Sequence, residues 1–219
     1  MIKTVVFDFD GVIVDSNRLK DEALFEIFSG HPQVPEALVR DAHRRNVGTR
    51  FDILRDIFVR AGTPQGEIES RVREYAGRYD DLVQAGIAKH GLAPGARETL
   101  AALSADWCLY VNSATAHDPL QATVERLGIR QYFRDVFGMP PTKEENLRTI
   151  LGREGIDPHE VVVIGDGPGD FRSARAVGTH FIAIASGFYD WSRERADFPI
   201  ASYIEEAGAM IANIVSPAD

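Results

Sequence analysis

Three aspartates stand where apolar stretches of the chain end. Val5-Val6-Phe7 runs into Asp8-Phe9-Asp10-Gly11-Val12, and Val161-Val162-Val163-Ile164 runs into Gly165-Asp166-Gly167-Pro168-Gly169-Asp170. Residues two apart in a strand lean to the same side, so Asp8 and Asp10 would pair like charges beside apolar chain. That arrangement is costly unless a cation or a proton compensates it. Asp8, Asp10 and Asp166 are hard oxygen donors with no accompanying His/Cys cluster, a set that suits Mg²⁺ and not Zn²⁺. Ser113, after another apolar run, can donate its hydroxyl to an anion, and Lys143 supplies a positive charge. The peptide groups of Gly11 and Ala114, following Asp10 and Ser113, offer further donors. Together these residues make an electrophilic cradle for a phosphoryl group. One carboxylate can attack phosphorus, and a second can act as general acid and base.

Segments so far apart meet only if the chain positions them at one rim. From Pro94-Gly95 onward, helix and strand patterns alternate: a helix near 96–104, a strand at 107–112, a helix at about 118–127, a short strand at 135–137, a helix near 144–154, a fully apolar strand at 161–164, a helix at 170–177 and a strand at 181–184. That alternation predicts a parallel sheet with helices on both faces, which the strand at 5–7 can join. Such sheets bind ligands at the carboxyl ends of their strands, where the polar residues above fall.

The stretch from 16 to about 86 reads as helices only. Ser16 can cap the first, which Gly30 stops, and Pro35 fits the first turn of the second. Thr49 can cap the third, and Thr63-Pro64 opens the fourth. Residues 15–90 are therefore expected as an inserted helical bundle, and 1–14 with 91–219 as the α/β core. Tyr75 and Tyr79, one turn apart, are expected in the bundle's core, and Arg44-Arg45 on an exposed helix face.

The chain has 219 residues and a net charge of −9. Residues 15–90 carry 12 Lys/Arg against 13 Asp/Glu, and the remainder 12 against 20. The acidity thus lies with the paired carboxylates, where a bound cation would relieve some of it, and it argues against nucleic-acid binding. No apolar run approaches the roughly 20 residues of a membrane helix, so no membrane association is expected. The N-terminus lacks the pattern of a signal peptide, and the lone Cys108, in an apolar run, reads as a buried, inert thiol. A cytoplasmic location is expected.

With these residues in view, the chain resembles the haloacid dehalogenase superfamily, in its group of small phosphatases with an α-helical cap. The family's first motif, DxDx[T/V], matches Asp8-Phe9-Asp10-Gly11-Val12. The second, an apolar strand ending in Ser or Thr, matches Ser113. The third, a lysine, falls on Lys143, and the fourth, GDxxxD, on Gly165-Asp166 through Asp170. The proline that often follows the family's lysine is absent, Glu144 standing in its place. The resemblance extends to Val14-Asp15-Ser16 at the entrance to the insertion and Pro94-Gly95 at its return. It implies a Rossmann-like α/β core with a four-helix cap, and Mg²⁺ as cofactor. It implies Asp8 as nucleophile and metal ligand, and Asp10 as acid–base residue that lends its backbone carbonyl to the metal. Asp166 would ligate directly, Asp170 indirectly or through a water, and Ser113 and Lys143 would hold phosphoryl oxygens. Since dehalogenases and phosphonoacetaldehyde hydrolases of this superfamily lack the second aspartate, Asp10 favours a phosphate ester as substrate.

Some assignments have alternatives at this level. Ser113 can instead cap the following helix, Lys143 can be a surface lysine, and Arg50 can be either a substrate contact or a solvated arginine. The glycines at 165, 167 and 169 do not have the spacing of a dinucleotide loop. Three functions are compatible with the residues: a Mg²⁺-dependent phosphatase acting through an aspartyl-phosphate on a small phosphorylated metabolite, a phosphomutase resembling β-phosphoglucomutase, and a non-catalytic phospho-ligand-binding protein. The chain is expected to be a monomer or homodimer.

Overall fold

The apolar residues Thr4–Phe7 form β1, buried along its whole length. A strand covered on both sides reads as a continuous apolar run, which is why no alternation marks it. The computed structural model describes residues 1–45, 49–194 and 197–214. Among them β2 (Cys108–Ala116), β3 (Asp135–Met139), β4 (Val161–Gly165), β5 (His180–Ile184) and β6 (Ile200–Ala201) complete one sheet in the order β3-β2-β1-β4-β5-β6. Every pairing is parallel. Val6, Tyr110 and Val163 pack with Leu147, Ile150 and Ala174, while the alternate positions Val5, Phe7, Leu109 and Val111 are also buried. The chain builds outward from β1 to β3, then crosses back to β4 on the other side of β1. The boundary between β1 and β4 is thus a topological switch point, where sheets of this kind leave a crevice.

By contact density the described chain divides into two units, Met1–Asn17 with Gly91–Asp219, and Arg18–His90. The second holds most of α1 (Ser16–Glu26), with α2 (Glu36–Arg45), α3 (Arg50–Arg60) and α4 (Ile68–His90). Leu24, Phe28, Val39, Leu54, Ile57, Phe58, Val72 and Tyr75 form its core. The Phe28 and Tyr75 rings stack at 5.0 Å, and Tyr79 packs against the same cluster. Thr49 stands at the N-cap position of α3, where Asp52 accepts from its N–H at 2.8 Å and from its hydroxyl at 2.7 Å. Helix α4 begins at Ile68, four residues beyond Pro64, because 65–67 form a turn first.

The first unit holds α5 (Ala96–Leu103), α6 (His117–Arg126), α7 (Lys143–Glu154), α8 (Pro168–Val177) and α9 (Ile204–Ile211). Strand β6 and α9 lie beyond the last element expected from the sequence; β6 has only two residues, too few for a visible pattern. Cys108 is half-buried and not fully buried, since it starts its strand at the edge of the apolar layer. Burial pushes its thiol up from the ordinary range, with Glu154 adding to the effect. No helix among the described residues is long and apolar enough to cross a membrane.

Candidate active site

The register of the sheet explains how distant residues meet. Phe7 pairs with Val111 on one side and Ile164 on the other, so Asp8, Asn112 and Gly165 follow at one level. The Asp8 N–H extends that pairing by donating to the Ile164 carbonyl at 2.8 Å. Beyond it the chain turns at Gly11 (φ 75°), and the Gly11 N–H, expected as a donor to phosphate, donates to the Val14 carbonyl at 2.8 Å.

The carboxylates of Asp8, Asp166 and Asp170 are buried and offer one oxygen each, all within 4.8 Å of one another. Lys143 lies among them, its Nζ 2.9 Å from Asp8 Oδ1 and 2.5 Å from Asp170 Oδ1. It is not a surface lysine. Thr142 and Glu145 form a reciprocal cap that starts α7 at Lys143. Asn112 anchors that turn to β2, donating to the Lys143 carbonyl at 2.9 Å and accepting from Asn146 at 3.0 Å.

Three buried carboxylates against one ammonium leave an unbalanced negative charge. Burial and the repulsion of Asp170 push the Asp8 carboxyl up to about 7 despite the lysine. Burial and Asp8 push Asp166 up to about 6, although Ser186 and Asn17 pull the other way. Burial alone would lower the Lys143 ammonium, but Asp8 and Asp170 outweigh it and hold it above its ordinary range. A hard divalent cation is the compensation such a donor set lacks, and three convergent carboxylate oxygens fit Mg²⁺.

Asp166 is fixed from two directions. Its Oδ2 accepts from Asn17 Nδ2 at 2.6 Å and from the Ser186 hydroxyl at 2.7 Å. Asp10 is half-buried; its Oδ1 accepts from the Ser16 hydroxyl at 2.6 Å and its Oδ2 from the Thr115 hydroxyl at 3.0 Å. Ser16, expected as a helix cap, is instead the first residue of α1, with its side chain turned back to Asp10. As the first residue inside the helix it no longer stands at the capping position, and its hydroxyl donates to a charged acceptor instead.

Ser113 is buried at the same rim but does not cap a helix. Strand β2 runs on to Ala116, with a register shift against β3 between Asn112 and Ala116, and α6 begins only at His117. The Ser113 oxygen accepts from the Thr115 N–H at 3.1 Å, which leaves its own proton available to an anion. Ala114, between them, is exposed. Arg50, in the helical unit, pairs with Asp80 at 2.9 Å and lies over the Phe51 ring at 4.7 Å. An anion reaching Arg50 would have to compete with Asp80.

Sequence reasoning did not assign Asn17, Thr115 or Ser186 to the site. Ser186 follows β5 by two residues, so the strand-end rule applied to that strand would have found it. Thr115 lies in the polar run after Asn112. Asn17 carries no signal, because its role depends on the turn after β1 that brings its side chain to Asp166.

Residues 2–178 match the family model of haloacid dehalogenase-like hydrolases. The chain is 30% identical over 196 residues to a phosphoglycolate phosphatase of Synechococcus elongatus, covering 86% of both chains. It is also 30% identical to one of Chromobacterium violaceum, covering 93% of this chain and 94% of that one. Among solved structures, a haloacid dehalogenase-like hydrolase of Streptococcus pneumoniae superposes with a TM-score of 0.72 at 25% identity, over 96% of this chain and 98% of that one.

Proposed function

Since the chain belongs to the haloacid dehalogenase-like hydrolases, we propose that it is a Mg²⁺-dependent phosphatase working through a phosphoryl group carried on Asp8. The observation that carries this reading is the placement of Lys143 between the buried carboxylates of Asp8 and Asp170, beside Asp166. Asp8 attacks phosphorus, and the ester oxygen departs with a proton from Asp10. Asp10 then accepts a proton from the water that hydrolyses the acyl phosphate, so inorganic phosphate leaves and both carboxyl groups return to their starting state. Lys143 and Ser113 hold phosphoryl oxygens as negative charge shifts among them. Asp8, Asp166, Asp170 and the Asp10 carbonyl would hold Mg²⁺, which when bound offsets the charge of phosphoryl and carboxylate oxygens together.

The substrate is a small phosphorylated metabolite, and the names of the two bacterial relatives make phosphoglycolate the first to test. The helical insertion acts as a cap that excludes water and selects the leaving group, with Arg50 as its candidate contact. The protein is proposed to act in the cytoplasm as a monomer or homodimer.

The test is phosphate release from phosphoglycolate, a panel of phosphometabolites and an aryl phosphate, with and without Mg²⁺, for wild type and Asp8→Asn. Metal-dependent release that Asp8→Asn abolishes is the expected result. Interconversion of hexose phosphates in place of release would identify a phosphomutase. Binding of phosphate esters without turnover would reduce the site to recognition.

A further inference from the structure

We propose that Thr115 is a positioning residue for Asp10, holding the carboxyl group in the orientation that delivers a proton to the leaving oxygen. This rests on the phosphatase reading above and goes beyond it by assigning a part to a residue outside the four motifs. Two hydroxyls, one from each segment of the chain's first unit, hold Asp10: Ser16 on Oδ1 at 2.6 Å and Thr115 on Oδ2 at 3.0 Å. An aspartate's terminal torsion is broad, so a single contact leaves the carboxyl plane free to swing. Contacts on both oxygens define it. Thr115 suits this task because branching at Cβ restricts its own χ1.

The strand explains how Thr115 comes to be there. Were β2 to end at Asn112, the chain would leave the rim before residue 115. Instead it continues to Ala116 through a register shift against β3, and Thr115 stays at the rim, half-buried. Irregularities of this kind re-aim side chains next to active sites. The same residue's N–H donates to Ser113 Oγ at 3.1 Å. Thr115 thus touches both the hydroxyl proposed for the phosphoryl oxygens and the carboxyl proposed for the leaving oxygen, by its backbone and its side chain respectively. A hydroxyl can donate to a carboxylate and also accept from a carboxylic acid, so the contact serves both halves of the reaction.

This division makes the role separable by mutation. Thr115→Val keeps the shape and the backbone N–H, and with it the contact to Ser113, but removes the hydroxyl. Thr115→Ser restores the hydroxyl. Steady-state kcat/KM is measured for an alkyl phosphate, whose leaving oxygen needs a proton, and for a nitrophenyl phosphate, whose leaving oxygen hardly does. Wild type, Asp10→Asn and both Thr115 variants are compared at saturating Mg²⁺. The expected result is a loss of about tenfold for Thr115→Val on the alkyl ester and about twofold on the aryl ester, with Thr115→Ser near wild type. Equal losses on both esters would make Thr115 merely structural and overturn the proposal, as would a serine variant no better than valine. If wild type hydrolyses no ester at all, the phosphatase reading itself falls. If Asp10→Asn discriminates between the esters and Thr115→Val does not, only the role of Thr115 falls.

Discussion

The ammonium of Lys143 lies 2.9 Å from Asp8 Oδ1, at the end of the first strand, with Asp8 buried and the Lys143 side chain mostly so. The same Nζ is 2.5 Å from Asp170 Oδ1. One cation therefore compensates two carboxylates, while Asp166 is held only by the neutral donors Asn17 and Ser186 among its described hydrogen bonds. The stability and the chemistry of the site both follow from this shortage of positive charge.

Replacing Lys143 by methionine removes the charge and keeps most of the length. Breaking a buried ion pair from one side costs about 3–5 kcal/mol, because the remaining charge is left without a partner. Lys143→Met should lose stability of that order in chelator at pH 8, and regain part of it with Mg²⁺. At pH 5 the cost should shrink, since Asp8 with its pKa near 7 is then protonated. Urea denaturation under the three conditions measures this; a loss below about 1 kcal/mol at pH 8 would mean that Lys143 does not neutralise Asp8.

The direction of the pH dependence follows from the same groups. Asp8 is raised to about 7 and Asp166 to about 6, both from 3.8. Between those limits the folded state holds protons that the unfolded chain has released. Their contribution to stability is therefore present at low pH and is lost as pH rises through the folded values. The proposed Mg²⁺ would bind the ionised carboxylates, so its affinity should rise over the same interval. Calorimetric titration with Mg²⁺ at pH 5.5, 6.5 and 7.5, values chosen around those pKa values, should show tightening and proton release. In Asp8→Asn the metal-free protein should lose less stability on going from pH 5 to pH 8 than wild type does. A flat Mg²⁺ affinity across this range would contradict the assignment of these carboxylates.

Ser186 tests the support of the proposed metal site without replacing a proposed ligand. Its hydroxyl and Asn17 share Asp166 Oδ2, and Asn17 Nδ2 also donates to Ser186 at 3.0 Å. Ser186→Ala should weaken Mg²⁺ binding about tenfold, the usual scale for partners that orient a ligating carboxylate. Turnover should recover at saturating Mg²⁺. An unchanged Mg²⁺ affinity would show that Asn17 alone suffices.

Much of this site was legible because parallel sheets translate apolar runs into strand ends. Asp8, Ser113 and Asp166 each follow such a run. The register between β1, β2 and β4 sets Asp8 level with Asn112 and Gly165, the residues just before Ser113 and Asp166, while Asp170 follows in the first turn of α8. Lys143 was less legible. It follows β3 by four residues, and what places it is the Thr142–Glu145 cap with Asn112, a contact between side chain and backbone that no periodicity reveals. Ser16 shows the opposite case. Its position before a helical pattern reads as a cap, but Ser16 lies inside α1 and its hydroxyl donates to the half-buried carboxylate of Asp10. Local rules rank a residue's neighbours in sequence and have no access to acceptors that the fold supplies.

Gly11 separates what a glycine permits in its backbone from what it permits in space. It has φ 75°, and Gly30 has φ 71°, so an alanine at either position meets the left-handed penalty of about 1–2 kcal/mol. A Cβ at Gly30 would meet nothing within 4 Å. A Cβ at Gly11 would lie 1.9 Å from Asp166 Oδ2 and 2.4 Å from Asn17 Nδ2, so the carboxylate and its donor would have to move. Gly30→Ala should therefore cost only the conformational penalty, with Mg²⁺ affinity unchanged. Gly11→Ala should cost more than Gly30→Ala and also lose Mg²⁺ binding, because the displaced group is a proposed ligand. Urea denaturation and Mg²⁺ titration of the two variants distinguish these effects. Equal losses with metal binding retained in both would mean that Asp166 can yield to the new methyl group, and that close approach is not what requires glycine beside it.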